Sequence, residues 1–188
     1  MLVFPTTKML LLLLIAALFT VALSSDENNC HLKPHRGVGK DFSQKFYFDS
    51  DWNHCFGLKY GGQGGNSNRF DSFKECLKCR YLDGSACGVP FGNPPRAHDY
   101  GSCDDETMCP KGSTCRYGMY VECCNSTMDA WGSSRYDATC PNGEAASVET
   151  VARTCLDLIC EKGSKCVQVN PLFARCCGGK KRGDGIAK

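Results

Sequence analysis

Thiols dominate the chemistry open to this 188-residue sequence, because 16 of its residues are cysteine. A thiolate can hold zinc, exchange disulfides or attack a substrate, and Cys76-Leu77-Lys78-Cys79 places two on one turn, as redox pairs and zinc half-sites do. Redox chemistry of that kind expects a strand–helix–strand setting, and zinc expects a second ligand pair at matching spacing; the sequence offers neither. The four histidines, His31, His35, His54 and His98, stand in loops or beside cysteines, without a nucleophile or carboxylate motif around them. Catalysis is therefore not expected, and neither a metal nor an organic cofactor is implied. The chemistry that remains is disulfide formation.

Disulfides need an oxidising compartment, and residues 1–24 read as the signal peptide that reaches it. Lys8 precedes an apolar run over residues 9–23, interrupted only by Thr20, and Ala22-Leu23-Ser24 sets cleavage near Ser24 or Ser25. The run is shorter than about 20 apolar residues and polar Ser24-Ser25-Asp26-Glu27 follows, which disfavours a membrane anchor. The mature protein is expected to be secreted and extracellular. A net charge of +2 with 22% charged residues gives no basic field for a nucleic acid. Roughly one residue in ten after the leader is cysteine, the density of a disulfide scaffold. With 20 Gly, 8 Pro and a mean hydropathy of −0.31, several small stapled modules are expected in place of one large core.

The cysteines fall into three blocks: Cys30, Cys55, Cys76 and Cys79; then Cys87, Cys103, Cys109, Cys115, Cys123 and Cys124; then Cys140, Cys155, Cys160, Cys166, Cys176 and Cys177. The second and third recur at an offset of about 52 positions and share Cys109-Pro110-Lys111-Gly112-Ser113-Thr114-Cys115 and Cys160-Glu161-Lys162-Gly163-Ser164-Lys165-Cys166, so they are tandem copies of one module. Each block holds an even number and can close within itself. The expected organisation is 1–24 leader, 25–82 first module, 83–126 and 127–179 repeats, and a flexible basic tail over 180–188.

Within the first block, Phe46-Tyr47-Phe48 and Phe56 to Tyr60 flank a polar loop and read as a β-hairpin. The crossing Gly61-Gly62-Gln63-Gly64-Gly65 follows. Ser72-Phe73-Lys74-Glu75 has the capping-box pattern and opens a short helix expected to run to about Leu82, where Asp83-Gly84 stops it. An early cysteine, the aromatic hairpin, Tyr60-Gly61-Gly62, Gly65-Asn66-Ser67-Asn68-Arg69-Phe70, Ser72 and Cys76 then follow in an order that resembles a Kunitz (bovine pancreatic trypsin inhibitor type) domain. The likeness covers residues 30 to about 82. It implies a small disulfide-rich α+β module, a hairpin plus a C-terminal helix, followed by the two cysteine-stapled repeats. It also implies the bridges Cys30–Cys79 and Cys55–Cys76; closing a loop of about 50 residues contributes about 4 kcal/mol. The family usually carries a third bridge from its protease-binding loop to the glycine-rich crossing, and those positions align with Gly39 and Gln63. The last two cysteines of the family are separated by three residues, whereas Cys76 and Cys79 are separated by two. That shift moves the second cysteine about 100° around an α-helix and calls for a small tilt of the bridge to Cys30.

In Kunitz inhibitors an exposed loop enters a serine protease as a substrate would. The resemblance places Gly37, Val38, Gly39, Lys40 and Asp41 in that loop, with Lys40 in the primary specificity pocket. A Lys ammonium there would meet the Asp of a trypsin-like protease. Lys40 also has the ordinary reading of a solvent-facing basic residue. Gly39 is flexible, Asp41 stands where the family prefers a small residue, and a missing bridge leaves more disorder to lose on binding. Two functions are therefore carried forward: a secreted protease-binding inhibitor, and a non-inhibitory structural protein of extracellular matrix or cuticle.

The tandem modules are similar to lustrin-type cysteine-rich repeats, and their combination with a Kunitz domain resembles secreted nematode proteins of the cuticle. Six cysteines admit many connectivities, which spacing leaves open. Asn125-Ser126-Thr127 is an N-glycosylation sequon between the modules. Lys180-Lys181-Arg182 matches a processing site and Arg182-Gly183-Asp184 an integrin-binding tripeptide, both short enough to arise by chance in such a tail.

Overall fold

In a computed structural model of the chain, the described residues are 29–82, 86–89, 103, 109–119 and 121–178. The 1–24 leader, the 180–188 tail with both its motifs, and His98 lie outside them. All sixteen cysteines are paired, in eight disulfides that stay within the three blocks.

Strand β1 (Ser43–Asp49) turns back into β2 (His54–Tyr60), and Tyr47 pairs with Phe56 while Phe48 pairs with Cys55. Asp49 closes the turn, its Oδ1 accepting from the amides of Asp51 and Trp52. Successive side chains of a strand leave on opposite faces. On one face, Phe46, Phe48 and Cys55 pack with Cys76, Phe70 and Phe73 as the core of the first module. The other face is apolar too. Tyr47, Phe56 and Leu58 join Trp52, Met128, Val151 and Phe173 in a second cluster drawn from all three modules. The uninterrupted run Phe46-Tyr47-Phe48 is what a strand buried on both faces requires. The three stapled units thus share apolar core, which the expectation of small separate modules did not include.

Helix α1 (Phe73–Cys76) starts as its sequence predicts, Ser72 accepting from the Glu75 amide at 3.1 Å. It ends earlier than predicted. After Cys76 the chain tightens into a 3-10 turn (Leu77–Cys79) and leaves as extended backbone at Arg80, short of Leu82. A 3-10 turn has three residues per turn, so residues three apart eclipse one another. Cys79 is thereby brought over Cys76 and reaches Cys30 with a Cα–Cα distance of 5.7 Å. The two-residue spacing is accommodated where the helix winds more tightly. Asn53 then captures the departing chain, donating to Tyr81 O at 2.6 Å and accepting from Tyr81 N at 3.1 Å.

In the first repeat, β3 (Ser113–Tyr117) pairs with β4 (Val121–Asn125); in the second, β5 (Ala146–Ala152) and β6 (Ser164–Gln168) flank β7 (Ala174–Gly178). Both repeats join their first and sixth, second and fourth, and third and fifth cysteines. Helix α2 (Ser126–Ser133) runs between them, across the expected division at 126/127. Its buried Asp129 accepts from Gly88 N at 2.6 Å and from Arg116 Nε at 2.8 Å, tying the helix back to the first repeat. Arg175 is fully buried, and its guanidinium donates to the carbonyls of Asp137 and Ser134.

His54 opens β2 in a ring of aromatic edges from Phe56, Phe73 and Tyr136. Both of its nitrogens are buried without a hydrogen-bond partner. Burial, reinforced by the positive charges of Arg135, Arg80 and Arg175, pushes its pKa down to about 3.

Candidate functional site

Residues 36–41 cross the glycine-rich segment in antiparallel fashion. Gly61 N donates to Arg36 O at 2.8 Å, Val38 N to Gln63 O at 2.8 Å, and Gln63 N to Val38 O at 3.0 Å. The crossing beneath is itself fixed, because Tyr60 Oη and Arg69 both donate to Gly64 O while the Arg69 guanidinium lies 4.0 Å from the centre of the Tyr60 ring. Gly37, at φ 67°, is required by this seat: a Cβ there would collide with the Tyr60 ring and the Gln63 carbonyl.

Outward from the seat, Val38 is 63% exposed, and Gly39, Lys40 and Asp41 are exposed as well. Among the described residues, neither Lys40 nor Asp41 has a side-chain hydrogen bond or ion pair. The loop therefore offers one free ammonium at its crest. Phe42 follows, its ring covered by Lys59 Nζ at 4.4 Å. The five residues 37–41 that the resemblance singled out are contiguous on this crest, over a floor of backbone.

Gly39 and Gln63, the positions aligned with a third bridge, lie side by side, a Cβ built on Gly39 standing 3.7 Å from Gln63 Cγ. Val38, one residue earlier, pairs with Gln63. Gly39 lies at φ 104°, where L side chains are strained, and a Cβ on it would run into the Gly61 carbonyl oxygen. Two backbone hydrogen bonds stand at the level where a bridge was aligned.

Sequence reasoning gave no role to three residues that bear on this loop. Arg36 reaches Asp157 of the second repeat through a two-pronged ion pair, Nε–Oδ1 2.6 Å and Nη2–Oδ2 2.9 Å. Asp157 is buried, and the hydrogen bond to it raises the Arg36 pKa against the opposing effect of burial. On the other side of the loop, Gln44 donates to Asp157 O at 3.2 Å and accepts from Ile159 N at 2.7 Å. More than a hundred positions separate these partners, and neither member carries a local signal.

The remaining candidates are placed as follows. Cys76 and Cys79 are bridged to Cys55 and Cys30, the pairing that the resemblance implied, so they hold no thiolate for zinc or redox chemistry. The sulfurs of Cys103, Cys109 and Cys123 lie within 4.8 Å of one another, but each is bound in a disulfide. His35 Nδ1 accepts from Gly37 N and shapes the loop. Asn125 is half-buried at the end of β4, where its Oδ1 accepts from Met128 N at 3.1 Å as the cap of α2. Among the described residues no helix is long and apolar enough to cross a membrane.

Comparison with known proteins converges on the same region. The family profile of the Kunitz/Bovine pancreatic trypsin inhibitor domain matches residues 29–80. A BPTI/Kunitz inhibitor domain-containing protein of Caenorhabditis elegans is 30% identical over 145 residues, covering 72% of this chain and 79% of that protein. The major allergen Ani s 1 of Anisakis simplex is 28% identical over 174 residues, 81% of this chain and 88% of its own. A Kunitz-type serine protease inhibitor of Lychas mucronatus is 33% identical over 78 residues, 42% of this chain and 95% of its own.

Proposed function

Because this chain belongs to the family of Kunitz (bovine pancreatic trypsin inhibitor type) proteins, we propose that it is a secreted inhibitor of trypsin-like serine proteases that presents Lys40 from the 37–41 loop. The family consists of protease inhibitors and not of enzymes, and relatives named as inhibitors support a protease partner. The observation that carries the reading is the free Lys40 ammonium at the crest of a loop fixed through its backbone. A seated loop has little conformational freedom left to lose on binding, which favours inhibition over turnover. The Lys40 stem and ammonium fill a deep pocket with an acidic floor, the kind of central, desolvated anchor that dominates an interface.

A second reading is favoured by the two-sided burial of the hairpin. A Kunitz unit bound this firmly to its repeats also suits a structural protein of matrix or cuticle, with the fold kept as a stapled block. Titration of the purified mature protein against a panel of trypsin-like proteases separates the two. Nanomolar inhibition that falls by about a hundredfold or more in Lys40→Ala supports the inhibitor. Absence of inhibition throughout the panel, or rapid scission between Lys40 and Asp41, would leave the structural reading standing.

A further inference from the structure

The second repeat touches the loop from a direction that the inhibitor reading alone does not use. Asp157 and Ile159 belong to one short segment, a 3-10 turn (Cys155–Asp157) and the residues after it. This segment contacts both stems of the 36–41 loop: Arg36 at its start, through the ion pair, and Gln44 after it, through two amide hydrogen bonds. Its approach is built into the hairpin. Gly57 of β2 leaves room for it, since a Cβ there would stand 2.9 Å from Leu158 Cδ2 and 2.9 Å from Gln44 Nε2. The segment is itself anchored by Cys155–Cys166 and Cys160–Cys176, one bridge at each end.

We infer that residues 157–159 of the second repeat are a positioning element for the protease-binding loop, a non-covalent clamp that holds the 36–41 stems together where Gly39 and Gln63 supply no bridge. The inference rests on the inhibitor reading for its purpose, but the clamp itself is a property of the free protein. The two-pronged pairing fixes the guanidinium plane as well as its position, which a single contact would not do. Arg36 precedes Val38 by two residues, so fixing it fixes the entry to the backbone seat on Gln63. Gln44 does the same for the exit. In this arrangement Asp157 and Gln44 act through the conformation of the loop.

The test uses the full mature chain and amide hydrogen exchange. The reporters are Val38 N–H and Gln63 N–H, two donors of the seat, with Phe46 N–H and Phe70 N–H, which bond β1 to the segment before α1, as internal controls. Asp157→Asn keeps the shape and removes the charge; Gln44→Ala releases the other stem. Each is expected to accelerate exchange at Val38 and Gln63 by about tenfold, the scale of the lost hydrogen bonds, charge-assisted for Asp157 and a neutral pair for Gln44, and to leave Phe46 and Phe70 unchanged. In the presence of trypsin, both variants are expected to be cut between Lys40 and Asp41 several times faster than the parent. Unchanged exchange at Val38 and Gln63 in both variants would overturn the clamp, and so would equal acceleration at all four amides, which would mark general loosening. The two readings fail separately. Lys40-dependent inhibition without any exchange response removes the clamp alone, whereas an exchange response in a protein that inhibits nothing keeps the clamp and removes the protease.

Discussion

The ring of Phe173 stacks on that of Phe56 with centroids 5.5 Å apart and planes inclined by 22°. One residue belongs to the second repeat and the other to the hairpin of the Kunitz module, and neither has any solvent-exposed surface. Trp52 closes the arrangement edge-on, 5.0 Å from Phe173, and the Arg153 guanidinium lies 4.6 Å from the Trp52 ring centre. These contacts decide how far the modules can act independently.

Removing Phe173 leaves a cavity between modules that are each stiffened by their own disulfides, so little collapse can relieve it. Phe173→Ala is expected to lower stability by about 3–5 kcal/mol, the range for a buried Phe truncated in a core. The denaturant midpoint measures the loss, and tryptophan fluorescence shifted to the red would show Trp52 or Trp131, both packed on this cluster, meeting water. A change below about 1 kcal/mol would mean that the aromatic cluster adds little to what the disulfides already hold.

Acid should loosen the protein through His54. Its pKa in the fold, about 3, lies far below the unchanged value of 6.5 expected in the unfolded chain. Between those values the unfolded chain binds more protons, so the contribution is complete above about pH 6.5 and declines by about 1.4 kcal/mol per pH unit as the pH falls toward 3. Denaturant midpoints at pH 7 and pH 5 should differ in the parent, and His54→Phe should remove most of that difference. An equal acid response in the variant would assign it to carboxylates elsewhere.

Engineering a third bridge at Gly39 and Gln63 follows naturally from the alignment, and loop rigidity alone predicts tighter binding. The backbone argues the reverse. With Gly39 at φ 104° and the Gly61 carbonyl in the way of any Cβ, Gly39→Cys with Gln63→Cys should close poorly on oxidation, and the closed fraction should bind trypsin more weakly than the parent. Mass spectrometry of alkylated samples gives the closed fraction and titration gives the affinity. Quantitative closure with tighter binding would show that the loop readily adopts a different path.

The parts of this fold that sequence could supply are those written locally. Ser72 and Glu75 marked the helix start, the aromatic runs marked the hairpin, and the Kunitz resemblance implied Cys30–Cys79 and Cys55–Cys76. The helix end was missed because Asn53, in the hairpin turn, takes hold of Tyr81 and draws the chain away before Leu82. Connectivity within the repeats was open because spacing does not tell six thiols apart. The docking of the second repeat had one visible trace, the lack of alternation in Phe46-Tyr47-Phe48, which signals two covered faces without naming what covers the second. Arg36 and Asp157 had none, since an ion pair between distant exposed-looking charges leaves no pattern in either segment. The loop 37–41 was singled out by the family resemblance, which rests on its neighbours in the chain, whereas its contacts with Asp157 and Ile159 come from another module and left no mark there.

The closed loops of the disulfide framework span 30–79, 87–124 and 140–177. A single nick inside any of them releases no fragment, because sulfur still joins the two ends. Only peptide bonds in 80–86 and 125–139 connect one closed loop to the next. A cut there would leave pieces associated through Phe56, Trp52 and Phe173, so that digestion would look incomplete on a native gel and become visible only once denaturant parts the rings, even with every disulfide intact.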